Sequence, residues 1–269
     1  MKTSFLFVTC CLEPSRAAIL QHVIDNLLEQ VDASRELTVF DNGSTQPGVV
    51  DQLVNNFRNV YRTERNVGYW SAIDWWLETQ RGTDVSYSYI IESDMMHYAF
   101  NRIDECIAYL DKHSDVGSVR LHEYSINERH LYDKDNPRPD SKRSIWQSHT
   151  NRVTNKPVKI DHSEGDIYST TFLTQLPALN RMSTMFDVFE QLRKMGNFTE
   201  RDFQRLYWEH HQRTAILDGG IFNCDMGSYG AKTVTGSWTS DDELSKIGYQ
   251  ATRKARLVPF EQYRVDRLV

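Results

Sequence analysis

Two carboxylates, Glu92 and Asp94, stand two residues apart, directly after the apolar run Tyr89-Ile90-Ile91. In an extended chain, residues i and i+2 project to the same side, so both acids face one way. Carboxylates that close repel each other unless a proton or a cation lies between them. A hard divalent ion such as Mg²⁺ or Mn²⁺ takes oxygen ligands and shares them with substrate phosphates. The spacing therefore points to a metal–diphosphate site at the carboxyl end of a strand. For the triplet Glu92-Ser93-Asp94 taken alone, a solvated acidic loop is the alternative.

A second pair of acids lies in Thr199-Glu200-Arg201-Asp202-Phe203. Thr199 reads as a helix N-cap with Asp202 three residues on, close to a capping box. Acids in a first helical turn also complement the helix dipole, which is the bland reading of Glu200 and Asp202. Asp41-Asn42-Gly43-Ser44-Thr45 and Asn66-Val67-Gly68 are turn sequences built of polar and conformationally permissive residues. The four cysteines, Cys10, Cys11, Cys106 and Cys224, have no zinc-like spacing. The chain has no Walker loop, no Gly-x-Gly-x-x-Gly fingerprint and no Ser/His/Asp arrangement, which disfavours a P-loop enzyme, a classical dehydrogenase and a hydrolase.

These residues need a scaffold, and composition sets its scale. With 269 residues, 39% of them apolar, the chain can bury the core of one large α/β domain. A net charge of −6 argues against general attraction to nucleic acid. Unpaired cysteine usage fits a reducing, cytoplasmic setting. The apolar run at residues 5–8 is too short for a signal peptide and is followed at once by Glu13, Pro14 and Arg16. No segment is long and apolar enough to span a membrane.

Strands are predicted over residues 4–10, 36–40, 60–62, 87–91 and 116–121, with helices over 15–30, 49–57, 70–79 and 103–112. Four strand–helix alternations predict a mostly parallel sheet with helices on both faces. Ligands of such sheets bind beyond the carboxyl ends of the strands. The stretches around residues 10–13, 41–45 and 92–94 all fall there. Residues 127–159 carry three prolines and the basic side chains Arg138, Lys142, Arg143, Arg152, Lys156 and Lys159, and read as a long irregular insertion. That insertion suits an anionic acceptor or a peripheral membrane contact, with a solvated loop as the alternative. Further on, a strand is predicted over 168–176, helices over 182–195 and from 199, and a strand over 214–223. Trp70, Trp75 and Trp76 are expected in the core, and His210-His211 as a structural or surface pair.

Taken in order, strand one ending at Thr9, then Asp41-Asn42-Gly43-Ser44, Asn66-Val67-Gly68, Glu92-Ser93-Asp94 and Thr199-Glu200-Arg201-Asp202-Phe203 resemble the motif set of family-2-like glycosyltransferases of the GT-A fold. The resemblance covers roughly residues 3–225 and is stronger over the first 125. It implies one α/β domain. Residues 1–125 would form its nucleotide-sugar-binding half. Residues 126–269 would form an irregular acceptor-side half, with the basic insertion at about 127–162. It further implies that Asp41 bonds the nucleotide base and that Thr9 and Glu13 cradle base and ribose. Arg65, Asn66 and Gly68 would line the nucleotide pocket. Glu92, Ser93 and Asp94 would form the Asp-x-Asp-like motif, with Asp94 and Glu92 holding Mn²⁺ or Mg²⁺. Glu200 would be the catalytic base, in a box with Asp202.

The implied activity is inverting, metal-dependent transfer from a nucleoside-diphosphate sugar, UDP-linked by family habit, to a carbohydrate or glycolipid hydroxyl. Here the triplet begins with Glu rather than Asp, and Asn223 stands where the family often has a histidine ligand; His162, His210 and His211 are the nearby substitutes. Two other readings stand beside this one: a catalytically silent nucleotide-sugar-binding or scaffold protein on the same fold, and a sugar nucleotidyltransferase. The latter normally carries a Gly-rich basic loop after strand one, where this chain has Cys11-Leu12-Glu13-Pro14.

Overall fold

In the computed structural model, residues 2–30, 37–93, 95–97, 100–122, 160–165, 167–170, 178–218, 221–223 and 254–269 are described. The first half alternates strand and helix: β1 (Lys2–Thr9), α1 (Pro14–Gln30), β2 (Leu37–Asn42), α2 (Val49–Asn56), β3 (Val60–Thr63), α3 (Tyr69–Gln80), β4 (Val85–Glu92), then a short β5 (Met95–His97), α4 (Ile103–Lys112) and β6 (Val116–His122). The second half contributes β7 (Ile160–Glu164), β8 (Ile167–Thr170), β9 (Ala178–Arg181), α5 (Met182–Met195), β10 (Asn197–Phe198), α6 (Glu200–His210), β11 (Arg213–Asp218), β12 (Ile221–Asn223), β13 (Ala255–Arg256) and β14 (Val265–Arg267).

One ten-stranded sheet runs in the order β14-β3-β2-β1-β4-β9-β6-β11-β8-β7. β3, β2, β1 and β4 are mutually parallel, as the alternation predicts. β9 enters antiparallel between β4 and β6, and β11 runs parallel to β6. Strands β2 and β3 lie on one side of β1 and β4 on the other, so the strand order reverses between β1 and β4.

The pleat sorts β1 into two cores, because successive side chains point to opposite faces. Phe5 and Phe7 join Leu20, Val39, Tyr89 and Ile91 under α1, α2 and α4. Leu6 and Val8 join Phe40, Trp76, Ile90 and Phe189 under α3, α5 and α6. Burial on both faces is why β1 and β4 read as unbroken apolar runs rather than alternating ones. Trp76 is buried in the second core, and Trp70 and Trp75 pack half-buried against it, as expected of core residues.

Several elements differ from expectation. The predicted strand over 168–176 is β8 at Ile167–Thr170, and residues 171–177 lie outside the described residues. The single strand expected over 214–223 is β11 and β12, and β12 leaves the main sheet to pair with β5. The end of the expected irregular insertion, residues 160–162, is part of β7; residues 127–159 lie outside the described residues. Residues 254–269 return to the first half: β14 pairs antiparallel with β3, while β13 pairs with β10 in the second. On the way, the Val258 amide donates to Ser71 Oγ (3.0 Å) and Arg65 Nη2 donates to the Gln262 carbonyl (3.2 Å). The last described segment is thus a strap across both halves.

β5 is anchored from α1. Asn26 Nδ2 donates to the His97 carbonyl (3.0 Å), and the His97 amide donates to Asn26 Oδ1 (2.6 Å). The His97 ring is fully buried, 3.2 Å from Tyr89 Oη through Nδ1, and Nε2 has no hydrogen-bond partner among the described residues. Burial depresses its pKa from 6.5 to about 3. As pH falls, the unfolded chain therefore takes up this proton first. The stabilisation is complete above the unfolded value and is lost as pH falls towards the folded one, at up to about 1.4 kcal/mol per pH unit. Urea unfolding of the wild type and His97→Asn, from about pH 7 to about pH 4, is expected to show the steeper acid loss only in the wild type. Parallel curves would refute the assignment.

Candidate functional site

A cleft of about 400 Å³ opens where the strand order reverses. That falls within the roughly 300–1,000 Å³ usual for small-ligand sites, at the position where open α/β sheets bind ligands. Its lining comes from the ends of four parallel strands and the segments that follow: Val8, Cys10, Leu12, Glu13 and Arg16; Asn42; Asn66 and Tyr69; Glu92 and Ser93. Of the residues expected at the site, Glu13, Asn66, Glu92 and Ser93 meet here.

The turn after β3 is locked to the end of β2. Asn42 Oδ1 accepts from the Val67 amide (2.8 Å) and Asn42 Nδ2 donates to Asn66 Oδ1 (3.1 Å). Asn66 Oδ1 also accepts from the Gly68 amide (2.7 Å), and Asn66 Nδ2 donates to Cys10 Sγ (3.2 Å). Gly68 has φ +92°, which favours glycine, and delivers the chain into α3 with Tyr69 first. Beneath the turn, a Cβ on Gly43 would lie 2.3 Å from the Arg65 carbonyl carbon and 2.4 Å from the Asn66 nitrogen. The loop after β2 and the loop after β3 thus touch backbone to backbone.

Other expected residues lie elsewhere. Asp41 is fully buried and does not line the cleft. Its Oδ1 accepts from the Ser44 amide (3.1 Å), and Oδ2 lies 3.1 Å from Arg62 Nε, an ion contact without hydrogen-bond alignment. Burial raises its pKa, opposed by Ser44 and Arg62. Thr9 is buried, with Oγ1 3.6 Å from Cys11 Sγ. Arg65 reaches the strap rather than the cleft. Asp94 lies outside the described residues. Arg16 and Tyr69 are cleft residues that the sequence reading did not single out, while Cys10 and Asn42 fall within its stretches 10–13 and 41–45 but were given no role of their own. Tyr69 had one signal, its place directly after Asn66-x-Gly68. Cys10 is no nucleophile near neutral pH, because burial and then Asp41 push its thiol up to about 11.

The second acidic pair is built as its sequence suggested. Asp202 Oδ2 accepts from the Thr199 amide and from Thr199 Oγ1 (both 2.8 Å), and Thr199 Oγ1 accepts from the Asp202 amide (3.3 Å). This is a capping box, and it occupies the Asp202 carboxylate. Glu200 opens α6, with Oε1 accepting from Gln204 Nε2 (2.9 Å). α6 is pressed onto β6 at Gly117, whose carbonyl accepts from Tyr207 Oη (2.8 Å); a Cβ there would come 2.7 Å from His211 and Tyr207. An aromatic wall connects the two acidic pairs. Tyr69 touches Trp70 (centroids 5.6 Å apart), and Trp70 touches Phe203 of α6 (4.9 Å). A smaller cavity of about 20 Å³ lies along this wall and shares Tyr69 with the cleft. His211 Nε2 is 2.9 Å from Thr184 Oγ1, a structural contact.

For a cation, the cleft offers hard oxygen donors, with Glu92 foremost and a thiol that stays protonated. This chemistry suits Mg²⁺ or Mn²⁺ better than a soft metal. Among the described residues, no three His, Cys, Asp or Glu side chains converge as a metal centre. No described helix is long and apolar enough to cross a membrane.

A mostly parallel sheet with helices on both faces and a cleft at its β1/β4 reversal defines an α/β protein with a GT-A-like architecture. No protein-family model matches the chain, and no curated protein matches it in sequence. Solved structures do match. Residues 1–349 of S. aureus TarS superpose with a TM-score of 0.51 at 14% identity, over 92% of this chain and 69% of that one. A longer TarS structure gives 0.51 and 14%, over 92% and 42%. TarS 1–349 in complex with UDP-GlcNAc gives 0.50 and 12%, over 92% and 64%. The chain shares the TarS fold.

Proposed function

We propose that the chain is a glycosyltransferase that takes a sugar from a nucleoside-diphosphate donor, UDP-linked, and passes it with inversion to a carbohydrate or glycolipid hydroxyl. The observation that carries this reading is the position of the cleft, at the β1/β4 reversal and floored by Glu92 and Ser93. TarS, which has the same fold, has been solved with UDP-GlcNAc.

In this reading Asn66, held by Asn42, shapes the nucleotide side of the cleft, and Arg16 supplies positive charge towards the phosphates. Glu92 and Asp94 hold Mn²⁺ or Mg²⁺, which when bound offsets the charge of the departing diphosphate. Glu200 accepts the acceptor hydroxyl's proton as its oxygen bonds to the anomeric carbon and the bond to the diphosphate oxygen breaks. Asp202 holds Glu200 in place through the helix cap. The basic side chains within 127–159 supply the charge that suits an anionic acceptor or a membrane surface. A binding-only protein is the second reading, favoured by one observation: Glu200 lines neither cavity and is bonded to Gln204.

The test is thermal-shift and calorimetric screening with UDP-, GDP-, CMP- and dTDP-sugars, with and without Mn²⁺. A ligand that binds only the folded state raises the melting temperature, equivalent to about 2.7 kcal/mol at roughly a hundredfold over Kd. UDP-sugars with Mn²⁺ are expected to give that shift, and Asp94→Ala to abolish it. No shift with any donor would overturn the reading.

A further inference from the structure

We propose that the Tyr69 hydroxyl is the positioning group for the Glu92 carboxylate, and that it thereby sets affinity for the diphosphate–metal portion of the donor. This rests on the reading above, that Glu92 serves the donor. Tyr69 Oη donates to Glu92 Oε1 at 3.0 Å. The two residues come from different elements, and both are fixed from behind. Glu92 ends β4 in register with Val8 of β1. Tyr69 opens α3, after a turn pinned by Asn42 and Asn66. Its ring stands edge-on to Trp70, which is itself in contact with Phe189, Phe198 and Phe203.

The need for such a group follows from the side chain. A glutamate has one more torsion than an aspartate, so its carboxylate ranges over a wider volume unless something holds it. A hydroxyl donating to an ionised carboxylate is a charge-assisted hydrogen bond, stronger than a neutral one. The bond fixes the longer arm at the cleft wall. Tyr69 and Glu92 would therefore act as a pair. Tyr69 also lines the small cavity along the wall, and its ring packs against Trp70.

The experiment is a double-mutant cycle on the full chain, with Tyr69→Phe, Glu92→Gln and both. Binding of UDP and of UDP-GlcNAc would be measured by calorimetry with Mn²⁺ present. Tyr69→Phe removes one oxygen and keeps the ring, so the ligand-free melting temperature is expected to stay close to wild type. Its Kd is expected to rise about tenfold, in line with loss of a hydrogen bond to a charged group. In the Glu92→Gln background, Tyr69→Phe is expected to add less than about a twofold further loss. A merely structural role for Tyr69 would not produce that coupling. Two results would overturn the proposal while leaving the donor reading intact: wild-type affinity in Tyr69→Phe alongside a weakened Glu92→Gln, or losses that simply add. If the wild type binds neither nucleotide, the donor reading fails and this proposal fails with it.

Discussion

Glu200→Gln is expected to lower glycosyl transfer by about 10²–10⁴-fold, the usual worth of a positioned general base, while leaving donor affinity unchanged. The substitution removes the proton acceptor and little else. The capping box is made by Thr199 and Asp202, not by Glu200. Glutamine can still accept from Gln204. Lost charge in the first turn of α6 costs only about 0.3–1 kcal/mol of helix stability. Single-turnover kinetics beside donor calorimetry would separate the two effects. Full transfer in the variant would remove Glu200 as base. A wild type that binds donor but turns over no faster than Glu200→Gln would favour the binding-only reading.

Gly43→Ala is expected to destabilise the protein by about 2–4 kcal/mol and to weaken nucleotide binding with it. Two costs add at this position. The residue has φ +72°, and its Cβ would fall 2.3 Å from the Arg65 carbonyl carbon. That neighbour is backbone and cannot rotate away, so the turn carrying Asn66 must move. Gly48→Ala is the internal control, because Gly48 has φ +79° but nothing within 4 Å of its Cβ position. It should cost only the left-handed penalty of about 1–2 kcal/mol. Urea unfolding of both variants isolates the contact from the conformation. Equal losses would show that the close approach of the two loops is unimportant.

The parts of this fold that were legible in the sequence are those written in local period and punctuation. The apolar run of β4, the alternation of strands and helices, and the Thr199/Asp202 cap each depend on residues a few positions apart. What was not legible is pairing over distance. β9 is four residues, Ala178–Arg181, and takes its place between β4 and β6 through partners at 87–89 and 118–120. β14 pairs with a strand some two hundred residues earlier. Neither carries a periodicity strong enough to announce itself.

The site divides in the same way. The Asp41–Ser44 turn was recognisable as a turn, because an aspartate bonding the amide three residues on is a local event. That Asp41 would face Arg62 rather than line the cleft depends on β3 lying beside β2. Tyr69 was passed over because its meaning comes from Glu92, which is brought to it only by the sheet.

The strap formed by residues 254–269 gives the fold an order in time. These residues are synthesised after everything they hold together. Before they emerge, β3 is a sheet edge with an unpaired row of backbone groups, and β10, just ahead of Glu200, lacks β13. A nascent chain grown to residue 223 already carries Glu92, Tyr69 and Glu200, and the aromatic contacts from Tyr69 through Trp70 to Phe203 join the turn to α6 before the strap adds its own hold. During that interval the open edge of β3 is a surface for chaperones to cover. In chain order the strap is thus the last of the described elements to form, and β3 and β10 gain their partners only then.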